Sequence, residues 1–197
     1  SRGLINDNIF SLFSDSKGKL WISTIGGLSR FDGKNFENFT TDDGLTSNIT
    51  YSVSEDQSGK IWIATYLGIT TYDGTRFATF TRSRDILNER IEKIIENTER
   101  RIIYASYGGG VGFIEKDTIS SITVDKGLPS NIVKTILQDR EGNYWFGTWN
   151  GLVKYKGDRF INYTLEDGLS NNNILSIFPD SSGGIWFGTL TGGVNYS

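Results

Sequence analysis

The residues that could hold a ligand lie at one recurring position of the sequence, directly after a Thr or Ser that itself recurs. Three consecutive occurrences of this position are aromatic, namely Tyr66, Tyr107 and Trp149, and Asn150 follows the last of them. Flat aromatic faces beside amide groups suit sugars and small apolar molecules. We therefore predict that Tyr66, Tyr107, Trp149 and Asn150 bind a small ligand on a shared loop face. The alternative interpretation is that these rings only cover the ends of the sheets that carry them.

The composition excludes most familiar catalytic sites. The 197 residues include no His and no Cys. The usual zinc and copper ligands, nucleophile–His pairs, thiol chemistry and disulfides are therefore excluded. We predict no catalytic residue, no metal site and no cofactor. One enzymatic alternative stays open, because a propeller-borne glycoside hydrolase or lyase that uses paired carboxylates needs no His.

The most distinctive carboxylates have a structural interpretation. Asp15, Asp56, Asp139 and Asp180 each precede a Gly by three residues. An Asp at the first position of a turn accepts hydrogen bonds from the backbone ahead of it, and Gly supplies the positive φ that closes the turn. We interpret these four residues as turn caps rather than calcium ligands or acid–base groups. Residues of the linking segments are predicted to brace those segments in the same way: Asp7, Asn48, Asn131 and Asn172.

These positions recur because the sequence repeats every 41 or 42 residues. The register is marked by Trp21, Trp62, Ile103, Trp145 and Trp186. Around them lie five copies of one segment, of which the third has drifted: KLWISTIGGLSRFDG (19–33), KIWIATYLGITTYDG (60–74), RIIYASYGGGVGFIEKD (101–117), NYWFGTWNGLVKYKG (143–157) and GIWFGTLTGGVNY (184–196). A period of this length is typical of a repeat architecture. We expect the Trp residues to fill the space between neighbouring sheets.

Each copy predicts four short antiparallel strands joined by short turns, which is the size of a propeller blade. The predicted blades are 3–43, 44–84, 85–126, 127–167 and 168–197, and the last lacks its fourth strand. The charged stretch 85–101 is assigned to strand from its register with the other copies. We therefore predict an all-β fold, a β-propeller of four-stranded antiparallel blades that forms a single domain over residues 1–197. A five-bladed ring with an incomplete last blade is favoured over an open arc of a larger, seven-bladed propeller.

The repeat resembles the two-component regulator propeller repeat. The shared pattern, Gly-Leu-x-x-Asn, then Asp-x-x-Gly-x-Ile-Trp-x-Gly-Thr, then Gly-Leu-x-x-Tyr-Asp-Gly, is matched at 127–131, 139–148 and 151–155. Such repeats build the periplasmic sensor part of bacterial hybrid histidine kinases. The resemblance implies a non-enzymatic sensor propeller, periplasmic or extracellular. It also implies the partners, which are a small molecule or oligosaccharide and neighbouring signalling domains.

Charge adds no further class of partner. The formal net charge is −3, which provides no positive field for nucleic acid, and no apolar run approaches the length of a membrane span. A third alternative is a protein-interaction or structural propeller, including a self-associating open arc whose exposed blade face and sheet edge would pair. The mixed charges of residues 82–101 fit repeat drift better than a partner-binding surface.

Overall fold

The computed structural model describes residues 3–80, 86, 89–115 and 118–197. These residues form nineteen β-strands in five antiparallel sheets, of which four have four strands and one has three. The predicted fold is confirmed: the protein is an all-β, five-bladed β-propeller with an incomplete last blade. Of the charged residues in 82–101, three lie outside the described residues: Arg82, Arg84 and Asp85.

Strands that follow one another along the chain pair within each blade. Blade one contains β1 (Ile9–Ser14), β2 (Leu20–Thr24), β3 (Leu28–Phe31) and β4 (Phe36–Phe39). Blade two contains β5 (Thr50–Glu55), β6 (Ile61–Thr65), β7 (Gly68–Tyr72) and β8 (Phe77–Thr79). Blade three contains β9 (Ile91–Glu96), β10 (Ile102–Ser106), β11 (Val111–Glu115) and β12 (Thr118–Ile122). Blade four contains β13 (Val133–Gln138), β14 (Tyr144–Thr148), β15 (Gly151–Lys156) and β16 (Arg159–Tyr163), and blade five contains β17 (Ile174–Pro179), β18 (Ile185–Thr189) and β19 (Val194–Tyr196). Strand β9 confirms the assignment made for the described part of the charged stretch.

The chain divides into two compact units. The first comprises residues 1–104 and 114–119, and the second comprises residues 105–113 and 120–197. Blades one and two belong to the first unit and blades four and five to the second, while the division passes through blade three. A single domain over residues 1–197 stays a prediction.

A carboxylate organises the first hairpin of a blade. Asp139 Oδ1 accepts hydrogen bonds from the backbone nitrogens of Glu141 and Asn143 at 3.0 and 2.8 Å. Asp139 Oδ2 accepts one from the indole Nε1 of Trp145 at 2.8 Å. The same two groups are joined at 2.8 Å in blades one and two, as Trp21 with Asp15 and Trp62 with Asp56. The turn-cap interpretation is therefore confirmed, and the carboxylate also fixes the indole ring, which the sequence analysis did not foresee.

Blade three forms the same turn from different residues. Asn97 Oδ1 accepts hydrogen bonds from the backbone nitrogens of Glu99 and Arg101 at 3.0 and 2.7 Å. Arg100 has a φ of 64°, the left-handed conformation that glycine adopts at this place in the other four blades: Gly18, Gly59, Gly142 and Gly183. A side chain in that conformation costs about 1–2 kcal/mol. The drifted turn therefore keeps its shape without the residue best suited to it.

Three of the four repeat tryptophans lie between sheets. Trp21, Trp62 and Trp145 are only 1%, 7% and 5% exposed. In the first unit, the Trp21 ring lies 5.7 Å from that of Tyr72 in the next blade. In the second unit, the Trp145 ring lies 5.6 Å from that of Phe187. The predicted role is confirmed for these three residues.

For Trp186 that prediction is wrong, because its ring is 44% exposed. Phe187 and Ile185 turn the other face of β18 toward blade four, and no described strand of the second unit covers the face that carries Trp186. Asp180, the turn carboxylate of this blade, accepts a hydrogen bond from the Tyr196 hydroxyl at 2.9 Å. Within the described part of the second unit, the Trp186 face of blade five is therefore open to solvent.

The links between blades contain single turns of 3₁₀ helix at Thr41–Asp43, Val124–Lys126 and Leu165–Asp167. An Asn seven residues along the chain accepts a hydrogen bond from the first backbone nitrogen of each turn. The residues are Asn48, Asn131 and Asn172, and the distances are 2.8, 2.8 and 2.9 Å. The predicted bracing role of these three Asn residues is confirmed.

Candidate functional site

The loop after the second strand of a blade lies beside the link that enters the same blade. In the first unit, the backbone nitrogen of Tyr66 donates to the carbonyl of Ile49 at 2.9 Å. In the second unit, the backbone nitrogen of Trp149 donates to the carbonyl of Ile132 at 3.1 Å. The loop and the link therefore emerge together in both units, and a rigid frame carries the variable residues.

Tyr107 and Trp149 form an aromatic corner in the second unit. Their ring centroids are 5.4 Å apart and their planes meet at 79°. Tyr107 is 37% exposed and Trp149 is 44% exposed. The Lys134 ammonium lies 5.6 Å from the centre of the Tyr107 ring. Two open ring faces beside a cation can hold a molecule that combines a C–H face with hydroxyl or anionic groups.

Asn150 holds the loop that carries Trp149. Its backbone nitrogen donates to Thr148 Oγ1 at 3.1 Å, and its Nδ2 donates to the carbonyl of Pro129 at 3.4 Å. The second bond ties this loop to the link entering the same blade. Asn150 thus positions Trp149, and ligand contact by its amide stays a prediction.

Tyr66 is half-exposed and belongs to the first unit. The same unit holds an aromatic and charged cluster around Tyr51. The Phe10 ring lies 4.9 Å from the Tyr51 ring, and the Arg90 guanidinium lies 4.7 Å from the centre of that ring. Arg90 Nε is 2.6 Å from Glu92 Oε1. The first unit therefore has its own combination of rings and charges.

Burial is the main influence on the Tyr51 hydroxyl. It raises the pKa of Tyr51, Arg90 opposes this rise, and Glu92 and Tyr66 add to it. A phenol whose pKa lies above its usual value near 10 stays protonated at neutral pH. Tyr51 is therefore a neutral hydrogen-bonding group and not a base.

A second variable position, which was not predicted from the sequence, lies on the first strand of the repeats. Equivalent places on the first strand of the five repeats hold Phe10, Tyr51, Glu92, Lys134 and Leu175. These residues differ in size and charge while the surrounding strand pattern is kept. Variation of this kind on a constant frame is a sequence signal for a binding position. The position was not predicted because an aromatic or aliphatic residue in an alternating strand normally packs in the core.

The turn carboxylates are poor candidates for acid catalysis. Burial opposes ionisation of Asp56 and Asp139, but hydrogen bonds from side chains and backbone outweigh it and lower the pKa of both. The hydrogen bond from Ser182 is the main cause that lowers the pKa of Asp180. A carboxylate with a lowered pKa is ionised at neutral pH and has no proton to donate. Within the described ranges, no group of three or more acidic residues could hold a metal ion.

The described part of the chain contains no helix with the length and apolar character required to cross a membrane.

A known protein family matches four of the five repeats. The family described as two component regulator propeller matches residues 3–26, 44–67, 127–150 and 168–191. The matches fall in blades one, two, four and five, and the drifted third blade lies outside them. The resemblance inferred from the repeat motif is therefore confirmed.

Several solved structures share the fold. The extracellular domain of a proposed one-component system, BT4673 from B. thetaiotaomicron, is 24% identical with a TM-score of 0.83, and the match covers 99% of this chain and 30% of that one. Virginiamycin B lyase from Staphylococcus aureus is 14% identical with a TM-score of 0.73, over 96% of this chain and 69% of the lyase. PorZ, a surface component of the type-IX secretion system of Porphyromonas gingivalis, is 13% identical with a TM-score of 0.70, over 96% of this chain and 32% of PorZ. The chain thus spans less than a third of the BT4673 domain. No curated protein matches the chain.

Proposed function

The chain belongs to the two-component regulator propeller repeat family, and on that basis we propose that it is a non-enzymatic sensor propeller. It binds a small ligand such as an oligosaccharide on the loop face. The aromatic corner of Tyr107 and Trp149 is the observation that carries this proposal. Both rings are substantially exposed, and Asn150 holds the loop that carries Trp149 in place. Rings that a scaffold keeps open toward solvent are suited to stacking on the C–H face of a sugar.

The proposed location is periplasmic or extracellular. The similar BT4673 structure is that of an extracellular domain. In this proposal the chain passes ligand binding on to neighbouring signalling domains.

The enzymatic alternative has less support. The similar virginiamycin B lyase has a variant, with His replaced by Ala, that is described as catalytically inactive, and this sequence has no His. A carboxylate mechanism requires one acid that holds a proton. The lowered pKa values of Asp56, Asp139 and Asp180 remove three of the candidates.

The test is a thermal-shift screen of the purified protein against neutral and acidic oligosaccharides, followed by calorimetry on the best ligand. Trp149→Ala and Tyr107→Ala are expected to weaken binding by about tenfold or more, since each removes a stacking ring. Leu190→Ala is the matched control, because Leu190 holds the same repeat position in blade five and is also exposed.

The control must bind like the parent protein, which shows that loss is specific to the aromatic corner. Two results would contradict the proposal: no member of the panel shifts the melting temperature, or Trp149→Ala binds as tightly as the parent. A turnover of any tested glycoside that depends on a carboxylate would favour the enzymatic alternative.

A further inference from the structure

A hollow lies between blades two and three, both of which have all four strands. Its volume is about 290 Å³, near the lower end of the range for small-molecule pockets. Its apolar walls are Trp62, Phe80, Ile102 and Ile114. Every residue that lines it belongs to the first unit, so this hollow is separate from the aromatic corner of the second unit.

The equivalent space between blades one and two is filled by Arg30 of β3. The Arg30 guanidinium lies 5.2, 5.5 and 5.6 Å from the ring centres of Trp21, Phe39 and Tyr72 respectively. Its Nε also donates a hydrogen bond to Glu37 Oε2 at 3.1 Å. One side chain of blade one therefore covers the rings and has its charge balanced by a carboxylate of the same blade.

Blade two keeps the rings of that arrangement but lacks the side chain that fills it. Trp62 and Phe80 stand at the two ring positions, with centroids 5.3 Å apart. Thr71 takes the place of Arg30, and Ala78 takes the place of its carboxylate partner. Because a Thr side chain is much shorter than an Arg side chain, the space beside the Trp62 ring stays open.

Two basic side chains line this hollow. The Lys60 ammonium lies 5.8 Å from the centre of the Trp62 ring, within the range of a cation–π interaction. Arg100 lines it from the turn between β9 and β10. Across residues 3–80, 86, 89–115 and 118–197, neither basic side chain forms an ion pair. An anionic group that entered the hollow would therefore meet two positive charges that no carboxylate balances.

The two carboxylates at the hollow already have hydrogen-bond donors. Asp56 accepts bonds from backbone nitrogens of its own turn and, at 2.8 Å, from the indole Nε1 of Trp62. Glu96 Oε1 accepts a bond from the backbone nitrogen of Gln57 at 3.2 Å. These donors compensate the negative charges and give both carboxylates a structural role, whereas the two cations are left for an incoming anion.

Arg100 stands where a side chain is costly. Its φ of 64° is the left-handed conformation that glycine adopts at this place in the other four blades. Strained residues of this kind cluster at functional sites, and a glycine would supply no charge to the hollow. The turn of blade three thus brings a guanidinium to the hollow at a cost in stability.

We propose that the hollow between blades two and three binds a small aromatic carboxylate, with its ring against Trp62 and its carboxylate between Lys60 and Arg100. A guanidinium holds a carboxylate through two parallel hydrogen bonds, and the tilted rings of Trp62 and Phe80 suit a flat apolar body. Arg100 lies outside the residues that match the family. The site is therefore a feature of this chain rather than of the repeat.

The probe is benzoate, titrated into the full chain and followed by calorimetry and by the indole N–H signals of the protein in NMR spectra. We expect saturable binding that shifts the Trp62 signal, which is identified by its absence from Trp62→Phe. Benzamide and benzamidine have the same shape but are neutral and cationic. Benzamide should bind at least about tenfold more weakly than benzoate, and benzamidine more weakly still.

Two single variants test the basic residues. Arg100→Gly should weaken benzoate binding about tenfold although it relieves the backbone strain. Unchanged or higher stability in urea would show that the loss does not arise from misfolding. Lys60→Gln should also weaken binding about tenfold. Lys19→Gln is its matched control and should bind like the parent, because Lys19 holds the same repeat position in blade one.

A double variant tests the space itself. Thr71→Arg with Ala78→Glu rebuilds in blade two the pair that blade one forms, so it should fill the hollow and abolish benzoate binding without lowering the melting temperature. Thr71→Ser leaves the hollow open and should bind like the parent.

Three results would overturn the proposal: benzoate leaves the Trp62 signal unmoved, benzamidine binds as tightly as benzoate, or the folded double variant still binds benzoate. Binding of benzamidine would show that Asp56 and Glu96 dominate and that the hollow takes cations. Trp149→Ala should bind benzoate like the parent, so failure of the oligosaccharide screen and failure of this site are separate outcomes.

Discussion

Replacement of Asp139 by Asn tests whether the turn carboxylate holds the tryptophan as well as the turn. An Asn side chain keeps an oxygen for the backbone nitrogens of Glu141 and Asn143, as Asn97 does in blade three. Its amide nitrogen then faces the Trp145 Nε1 donor, so two donors meet where a carboxylate now accepts at 2.8 Å. Blade three tolerates Asn because it has Ile103 in place of the tryptophan.

The magnitude follows from the bond that is lost. A hydrogen bond to a charged group contributes about 1.5–3 kcal/mol, and an unpaired buried donor costs about 1–3 kcal/mol. Trp145 is 5% exposed, so water cannot easily replace the lost partner. Because the carboxylate itself is partly exposed, we expect Asp139→Asn to lower the free energy of unfolding by about 2 kcal/mol, toward the lower end of that range. For a chain of this size the melting temperature should fall by about 4–8 °C.

The assay is urea unfolding followed by circular dichroism, performed as a double-mutant cycle with Trp145→Phe. Phe keeps a ring but has no N–H, so Asp139→Asn should cost about 1 kcal/mol less in the Phe background. If Asp139→Asn were equally destabilising in both backgrounds, the carboxylate would act on the turn alone. That result would refute a role for Asp139 in holding Trp145.

The same pair predicts a pH dependence. Burial alone would raise the pKa of Asp139, but the hydrogen bonds from Asn143 and Trp145 outweigh it and hold the pKa below its ordinary value. Because the pKa of Asp139 is lower in the folded protein than in the unfolded chain, the ionised carboxylate stabilises the fold. This contribution is complete above the unfolded pKa of about 3.9 and is lost as the pH falls through the folded pKa. The difference in stability between parent and Asp139→Asn should therefore be largest near neutral pH and shrink below about pH 4. A difference that grows on acidification would contradict this sign.

Glycine positions provide the remaining predictions, each measured by urea unfolding. Arg100→Gly should leave stability unchanged or raise it by up to about 1 kcal/mol, because relief of the left-handed strain is partly offset by the greater freedom of the unfolded chain. Gly142→Ala should cost about 1 kcal/mol from its φ of 80° alone, since no described atom lies within 4 Å of the added Cβ. Gly147→Ala should cost about 1–3 kcal/mol by overpacking, because its Cβ would lie 2.6 Å from Thr135 and 2.8 Å from Ile174. A destabilising Arg100→Gly, or neutral alanine variants, would contradict these assignments.

Much of the fold could be predicted because the information is local and repeated. The Asp-to-Gly spacing specifies a turn through hydrogen bonds within four residues, as Asp139 and Asn143 show. Five copies of one pattern then identify the blade, and register placed β9 correctly in a stretch whose charges resemble a helix. The candidate site was only partly predictable. The repeat register assigns Tyr107 to its loop, but its contacts with Trp149 and Lys134 join residues that are distant in sequence.

The sequence by itself determined the period, the turns, the strand order within blades and the family. Only the tertiary structure decided which faces are covered. Trp145 and Trp186 stand in nearly identical segments, Tyr-Trp-Phe-Gly-Thr and Ile-Trp-Phe-Gly-Thr. One is 5% exposed and the other 44% exposed. The physical reason is that each hairpin is formed by local hydrogen bonds. Burial of a ring depends instead on which strand or neighbouring sheet lies over it, and the sequence of one repeat does not specify that neighbour.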